Sequence, residues 1–365
     1  MTGALSRRRL LGRVLNPASD EVVLRQGLAA LDAQDWRGLT LASLHCCVAP
    51  AFSAALEARQ FASLMPQEDR EALAAARQLH QQMAERYIAL AVALTRDLAE
   101  IGIEPVFLKG MSHLLLAEDA AARTRMVLDI DALVPADRVI EAWHFLVNRG
   151  YREMNPRNET LEQFNARSCH LPRLATPCGN VAVELHRSYF AGDESLLPAA
   201  EIMASAQPII HSGLAMKVPS ANHRLTIALA HCALRQMTLS IPVAQLRDGC
   251  DVATSLARDG ADPAFARAAF ERAGAGGAFN WSAGLMERVF GVRLIPRMHR
   301  PPPTARLKSV VMEHICASWN PQWRINRAKG VIRLLTYFQN PAYYHAKLHR
   351  IFERRVMRKK PDTLQ

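Results

Sequence analysis

Two aspartates stand inside an apolar run of eight residues, Val127-Leu128-Asp129-Ile130-Asp131-Ala132-Leu133-Val134. Such a run predicts a β-strand, in which alternate side chains point to opposite faces. Asp129 and Asp131 therefore share one face, while Leu128 and Ile130 share the other. A buried charge without a partner is unfavourable, so the aspartate face requires a counter-ion or a ligand. This strand limits the chain to folds in which a small sheet has one polar and one apolar face.

The β-type pattern is confined to the middle of the chain. Short strands are predicted over residues 104–108, 127–134, 170–175 and 181–186. The sequence on either side carries helical spacing of apolar residues. We therefore expect an α+β fold, in which a small mixed β-sheet core is flanked by N-terminal and C-terminal helical regions. The expected division is a basic arm over 1–20, a helical lead-in over 21–100, an α/β core over 101–215, a helical domain over 216–300 and a basic helical tail over 301–365.

The positive charge of the chain is concentrated at its ends. The formal net charge is +11, and residues 321–365 alone hold eleven basic and two acidic residues. Half of the residues are hydrophobic and 22% are charged, which excludes global disorder. No apolar run reaches the ~20 residues that a membrane-spanning helix needs, so no transmembrane segment is expected. The main interpretation of the tail is a helix that packs through an apolar stripe and leaves a solvated basic face. The alternative is an anionic partner for residues 321–365, namely nucleic acid, anionic lipid or an acidic protein.

The seven cysteines are irregularly spaced and include no C-x-x-C pair. An odd number without regular spacing favours free thiols over a disulfide framework or a zinc site. Free thiols persist in reducing compartments, so we expect a cytoplasmic protein.

The aspartate pair predicts a site for a hard divalent cation. Two carboxylates on one strand face supply the oxygen ligands that Mg²⁺ prefers and that Mn²⁺ also accepts. Lys109-Gly110 follows the preceding strand and begins a helix, which favours a bound phosphate because glycine permits close backbone approach and a helix N-terminus attracts anions. Arg125 either contacts phosphate or braces Asp129.

Glu184 is the third candidate carboxylate. It lies in the apolar strand predicted over 181–186, on the same face as His186. It either joins the aspartate pair at a metal or accepts the proton of an acceptor hydroxyl. The structural alternatives for Glu184 are an exposed strand face or an ion pair with Arg187 or Arg173. His170 and His186 are weaker candidates, as substrate contacts or as buried structural histidines.

Taken in order, these motifs resemble an uncharacterised family of bacterial nucleotidyltransferases. That family belongs to the DNA polymerase β-like superfamily and is similar to the toxin enzymes of type IV toxin–antitoxin systems. Its members show a Leu-Lys-Gly element, an Arg-x-x-[Gly/Ser]-Asp-Ile-Asp-Leu-Leu-Val segment, a helix ending in Gly-Tyr, and a carboxylate followed by histidine. The matching segments here are Leu108-Lys109-Gly110, Arg125 with Asp129-Ile130-Asp131-Ala132-Leu133-Val134, Gly150-Tyr151, and Glu184-Leu185-His186.

The resemblance implies a Mg²⁺-dependent transfer of NMP from an NTP to a hydroxyl group, with release of pyrophosphate. It implies that the metal is held by the three carboxylates Asp129, Asp131 and Glu184. It implies that the triphosphate is held by Lys109, Gly110 and Ser112. Two departures from the family pattern are present. Leu128 replaces the small residue that usually precedes the first aspartate, and the serine of the Gly-Ser turn is displaced by one position to Ser112.

The sequence leaves two other functions open. One is a metal-dependent glycosyltransferase, since those enzymes also use an apolar-flanked D-x-D motif, although they usually place a larger α/β region before it. The other is a catalytically degenerate binding module whose basic tail contacts an anion. No motif indicates the preferred base or the acceptor, which is a small molecule, a peptide, a protein or tRNA.

Overall fold

The structure of the chain is a computed structural model that describes residues 4–156, 158–179, 181–190, 195–235, 241–296 and 301–317. The basic segment over 321–365, together with the partner predicted for it, lies outside these residues. The expected α+β fold is confirmed, because helices flank a mixed sheet of seven strands. Within the described ranges, no helix combines the length and the apolar character needed to cross a lipid bilayer.

Five α-helices precede the sheet. They are α1 (Ala4–Leu15), α2 (Glu21–Ala29), α3 (Ala33–His45), α4 (Ala49–Ala58) and α5 (Gln67–Ala99), with a 3₁₀ turn at Ala62–Leu64. Asp20 and Asp32 accept hydrogen bonds from the first backbone amides of α2 and α3, as helix N-caps do. Pro50 lies in the first turn of α4, where its missing amide removes no helical hydrogen bond.

The sheet is assembled from strands that are distant in sequence. In chain order they are β1 (Val106–Phe107), β2 (Asp129–Leu133), β3 (Arg152–Glu153), β4 (Leu174–Ala175), β5 (Ala182–His186), β6 (Gln207–His211) and β7 (Leu214–Val218). Their order across the sheet is β3-β4-β5-β2-β1-β7-β6. The pairs β2–β5 and β1–β7 are parallel, and the other neighbours are antiparallel. Shorter helices connect the strands: α6 (Lys109–Leu116), α7 (Val139–Asn148), α8 (Leu161–Arg167) and α9 (Ala199–Ala204).

The parallel pair β2–β5 gives the sheet two different faces. Asp131 pairs with Glu184 and Leu133 with His186, so the polar side chains of both strands point the same way. The intervening residues, such as Ile130, are buried in one apolar cluster with residues of α5 and α7. The register therefore separates a polar face from an apolar core.

The hairpin β6–β7 is not predicted by the sequence analysis. Its turn is Ser212-Gly213, with φ values of 50° and 74°. Positive φ at both turn residues is typical of the type I′ turns that join two antiparallel strands. The local signal is this Ser-Gly pair between two apolar runs, and the tertiary consequence is that β7 pairs with β1.

Five α-helices follow the hairpin. They are α10 (Ala221–Ala230), α11 (Ile241–Ala257), α12 (Pro263–Arg272), α13 (Gly276–Phe290) and α14 (Pro303–Ala317), and a π-helical turn at His231–Arg235 extends α10. Gly249 of α11 allows close packing against α13, because a Cβ there would lie 2.1 Å from a ring carbon of Phe290. The first part of the predicted basic tail, α14, is therefore a packed helix, with Ala305 and Met312 buried in the core.

The N-terminal segment, which the sequence predicts as a basic arm, contains a helix that packs on the rest of the protein. Residues 4–15 form α1, in which Leu11 and Val14 are completely buried. Gly12 approaches α13 so closely that a Cβ there would lie 2.5 Å from the carbonyl oxygen of Val289. The arginines of this segment suggest a solvated chain, but its apolar residues follow helical spacing and form one face that packs on the C-terminal helices.

Candidate functional site

Three buried polar side chains meet on the central strands, and we refer to Asp131, Glu184 and His186 as the Asp-Glu-His cluster. Their possible ligand atoms all lie within 4.8 Å of one another. His186 Nε2 lies 2.7 Å from Asp131 Oδ1 and 3.4 Å from Glu184 Oε2. The cluster forms because alternate residues of β5 share a face beside Asp131 of β2.

Two cationic side chains neutralise these carboxylates. Lys109 forms an ion pair with Asp131. Arg173 Nε lies 2.5 Å from Glu184 Oε1, and Arg173 Nη2 lies 3.5 Å from Asp129 Oδ2. The side chain of Asp129 is 28% exposed, so this carboxylate lies at the border between the cluster and solvent. The ion pair weighed for Glu184 as a structural alternative is present, and it also connects Asp129 to the cluster.

These contacts keep the buried carboxylates ionised. Burial would raise the pKa of Asp131, but the charge of Lys109 and the hydrogen bond from His186 hold that pKa well below its ordinary range. Burial likewise opposes ionisation of Glu184, but the hydrogen bond from His186 lowers its pKa to about 2. Burial and the charge of Asp131 together raise the pKa of Asp129. The site thus holds two strongly ionised carboxylates beside one that takes up a proton more readily.

The Lys109-Gly110 turn leads from β1 into α6 beside the cluster. Lys109 has a φ of 50°, in the left-handed region that residues with side chains rarely adopt. A Cβ on Gly110 would lie 2.9 Å from Val127 Cγ2 and 3.1 Å from Arg125 Nη1, so a larger residue would displace its neighbours. Ser112 is completely buried, and its hydroxyl donates a 2.6 Å hydrogen bond to the carbonyl oxygen of Lys109. This hydrogen bond from Ser112 therefore stabilises the conformation of the turn.

Arg125 contacts Asp251 of α11, and does not brace Asp129. Its Nε and Nη2 atoms each donate a 2.7 Å hydrogen bond to a carboxylate oxygen of Asp251. Asp248 Oδ1 lies 3.8 Å from Arg125 Nη2. Burial would lower the pKa of Arg125, but the charge and hydrogen bonds of Asp251 raise it above its ordinary value. This ion pair connects the segment before β2 to α11, although the two residues are more than a hundred positions apart in the sequence.

A cleft that is open to solvent lies between the sheet and the C-terminal helices. On the sheet side its lining includes Lys109, Gly110, Ser112, Asp129 and Asp131. On the helical side its lining includes Arg224, Ile227, His231, Arg247 and Asp248. Leu128 also lines the cleft and is 61% exposed. Leu128, one of the two departures from the family pattern, is therefore accessible to a bound ligand.

The structure gathers four residues predicted for the site into one contact network: Lys109, Asp131, Glu184 and His186. It places the other candidates along the cleft: Gly110, Ser112, Arg125 and Asp129. His170 lies at the border, with Nε2 3.9 Å from Glu184 Oε2 and its ring centroid 5.2 Å from that of His186. The predicted strands thus converge on one site.

The helical wall of the cleft is not predicted from the sequence. His231 Nδ1 lies 2.7 Å from Asp248 Oδ2, and His113 Nε2 lies 3.7 Å from Asp251 Oδ1. The spacing of Asp248 and Asp251 puts both carboxylates on one face of α11, which is a local signal. No local pattern pairs either aspartate with a histidine of another element, so only the packing of the helices reveals these contacts.

The Asp-Glu-His cluster has a donor set that fits a divalent metal ion. It offers two carboxylate oxygens within mutual reach, and Asp129 lies next to it on the same strand face. Carboxylate oxygens suit Mg²⁺ and Mn²⁺, and the His186 imidazole holds the Asp131 carboxylate in place. The ionised state of Asp131 and Glu184 is the state that binds a cation.

Comparison with known protein families gives a match over residues 32–288, more than half of the chain, to the family described as uncharacterised nucleotidyltransferase. No curated protein matches the chain significantly. The matched region contains the Asp-Glu-His cluster, the Lys109-Gly110 turn and both walls of the cleft. The chain therefore belongs to the uncharacterised nucleotidyltransferase family.

Proposed function

We propose that the protein is a metal-dependent nucleotidyltransferase that transfers NMP from an NTP to a hydroxyl acceptor and releases pyrophosphate. The family implies an NTP substrate. The observation that carries the proposal is the Asp-Glu-His cluster, whose ionised carboxylates lie in register on adjacent parallel strands beside the Lys109-Gly110 turn. Such a site combines oxygen ligands for a cation with a backbone turn and an ammonium group suited to phosphate.

In this proposal Mg²⁺ or Mn²⁺ is held by Asp129, Asp131 and Glu184, and the triphosphate is held by Lys109 and its turn. A divalent ion held by these carboxylates would supply positive charge to offset that of the phosphates during attack at the α-phosphorus. His186 orients the Asp131 carboxylate through the 2.7 Å contact of Nε2 with Oδ1. The flexible four-carbon stem of a lysine allows its ammonium group to pair with a carboxylate or with phosphate.

Two observations weigh against the other functions left open by the sequence. The matched family is one of nucleotidyltransferases, which does not support the glycosyltransferase alternative. A module that only binds through its basic tail would have no use for two carboxylates, Asp131 and Glu184, that are kept buried and ionised, because burying charge is unfavourable. The cytoplasmic location stays part of the proposal, since a buried thiol outside any disulfide, such as that of Cys46, suits a reducing compartment.

The test is incubation of the full chain with each α-labelled NTP, Mg²⁺ or Mn²⁺, and a cell extract as the acceptor pool. We expect one or more NTPs to give labelled product and pyrophosphate, and Asp131→Asn to abolish both. Asp137→Asn is the matched control, because Asp137 is exposed and lies outside the cleft. Absence of turnover with every NTP, or equal activity of Asp131→Asn and wild type, would contradict the proposed function. Identification of the labelled product would name the acceptor.

A further inference from the structure

The helical wall of the cleft holds a histidine–aspartate pair that the metal chemistry does not use. His231 Nδ1 lies 2.7 Å from Asp248 Oδ2, and the Asp248 side chain is 3% exposed. Both residues line the cleft opposite Asp129 and Asp131. A buried carboxylate on one ring nitrogen fixes the orientation of the imidazole and stabilises the protonated ring that forms when the other nitrogen accepts a proton.

The backbone at this position is also unusual. His231 ends α10 and begins the π-helical turn His231–Arg235. Short π-helical segments are rare and occur frequently at functional sites, because the extra residue changes the direction of the side chains. The turn therefore supplies a second observation, independent of the pairing with Asp248, that this wall has a functional role.

The alternative base, Glu184, is poorly placed to meet an acceptor. Its side chain is 5% exposed, and Arg173 Nε and His186 Nε2 lie 2.5 Å and 3.4 Å from its carboxylate oxygens. Glu184 is not among the described residues that line the cleft. These contacts suit a carboxylate that holds a cation, and they leave proton transfer to a group on the cleft wall.

We propose that His231, oriented by Asp248, is the general base that activates the acceptor hydroxyl. This inference rests on the proposed function. The acceptor O–H proton passes to Nε2 of His231 while the acceptor oxygen bonds to the α-phosphorus of the NTP. The bond from that phosphorus to the oxygen bridging to the β-phosphate breaks, and its electron pair leaves with pyrophosphate. The imidazolium, paired with Asp248, later releases its proton to solvent.

The test uses the full chain with the NTP and acceptor pool that support transfer by the wild type. For His231→Gln, we expect kcat to fall by about 10²- to 10³-fold, the usual contribution of a general base, while the Kd for a fluorescent NTP analogue changes less than about twofold. For His231→Ala, we expect added imidazole to restore at least about a tenth of the lost rate, which a purely structural histidine would not permit. His45→Gln is the matched control, since His45 is exposed on α3 and lies outside the cleft.

The outcomes separate this inference from the proposed function. A wild type that turns over no NTP contradicts the proposed function itself. An active wild type with an equally active His231→Gln overturns the assignment of the base and leaves the metal site in place. If His231→Gln does not fold, Asp248→Asn takes its place. It keeps an oxygen facing Nδ1 but removes the charge, so we expect at least about a tenfold loss of kcat at unchanged nucleotide Kd, and unchanged kcat overturns the inference.

Discussion

The pair formed by Arg125 and Asp251 connects the sheet to α11, so its removal tests how the cleft is held together. The side chains are 12% and 7% exposed, and two 2.7 Å hydrogen bonds join them. Asp251→Asn removes the charge that compensates the buried guanidinium. Breaking one partner of a buried ion pair costs about 3–5 kcal/mol. Because Asp248 lies 3.8 Å from Arg125 and retains part of the compensation, we expect a cost of about 3 kcal/mol.

Equilibrium unfolding in urea, followed by tryptophan fluorescence of the full chain, measures this cost. With a urea dependence of about 3 kcal/mol per molar, the midpoint should fall by about 1 M for Asp251→Asn. The double variant Arg125→Met with Asp251→Leu removes both charges, so its free energy of unfolding should lie within about 1 kcal/mol of wild type. Glu141→Gln is the surface control, since the Arg138–Glu141 pair has similar geometry but lies in solvent, and its midpoint should not move.

Two results would refute this reasoning. One is an Asp251→Asn variant with the same midpoint as wild type, which would mean that the pair contributes nothing to holding β2 against α11. The other is a double variant that loses as much stability as its two components, Arg125→Met and Asp251→Leu, lose when each is made alone and the losses are added. Additive losses would show that the two side chains act independently and that the loss does not come from an uncompensated charge.

Two further predictions concern a site residue and a core residue. Arg173→Gln removes the cation beside Glu184 and Asp129, so the Kd for Mn²⁺, measured by electron paramagnetic resonance, should fall roughly tenfold. A higher Kd would contradict the assignment of the Asp-Glu-His cluster as the Mn²⁺ site. Burial lowers the pKa of Lys308 from its ordinary 10.5 to about 7. Between pH 7 and 10 the unfolded chain therefore holds this proton and the folded chain has released it. The free energy of unfolding of the wild type should rise with pH over this range. Lys308→Met should raise Tm at pH 7 and reduce that rise, whereas an unchanged pH dependence of Tm would exclude this cause.

Local sequence was sufficient wherever one element carries its own pattern. The alternation of residues around Asp129 and Asp131 predicts a strand with one polar face. The structure shows this strand as β2, Asp129–Leu133. Helical spacing likewise predicts a helical lead-in before the sheet, and α5 (Gln67–Ala99) is the longest helix in that region. The resemblance to the nucleotidyltransferase family rests on such short motifs in order, and the family match confirms it.

Contacts between distant elements were beyond local patterns. The arginines of α1 suggest solvent, yet the apolar face of this helix is buried because α13 packs against it. Arg125 is predicted to meet phosphate or Asp129, and it meets Asp251 because the C-terminal helices close over the sheet. The spacing of residues along the chain does not predict which helix will pack against a given charged side chain.

The sequence by itself therefore determined the α+β class, the carboxylates on two strands and the Lys109-Gly110 turn, since each depends on the periodicity or the residue type of one segment. Only the tertiary structure decided that His186 contacts Asp131, that Arg173 bridges two carboxylates, and that the pair of His231 and Asp248 forms the opposite wall. The physical reason is that strand register and helix packing bring together groups that are far apart in the chain, and these are the groups that assemble the site.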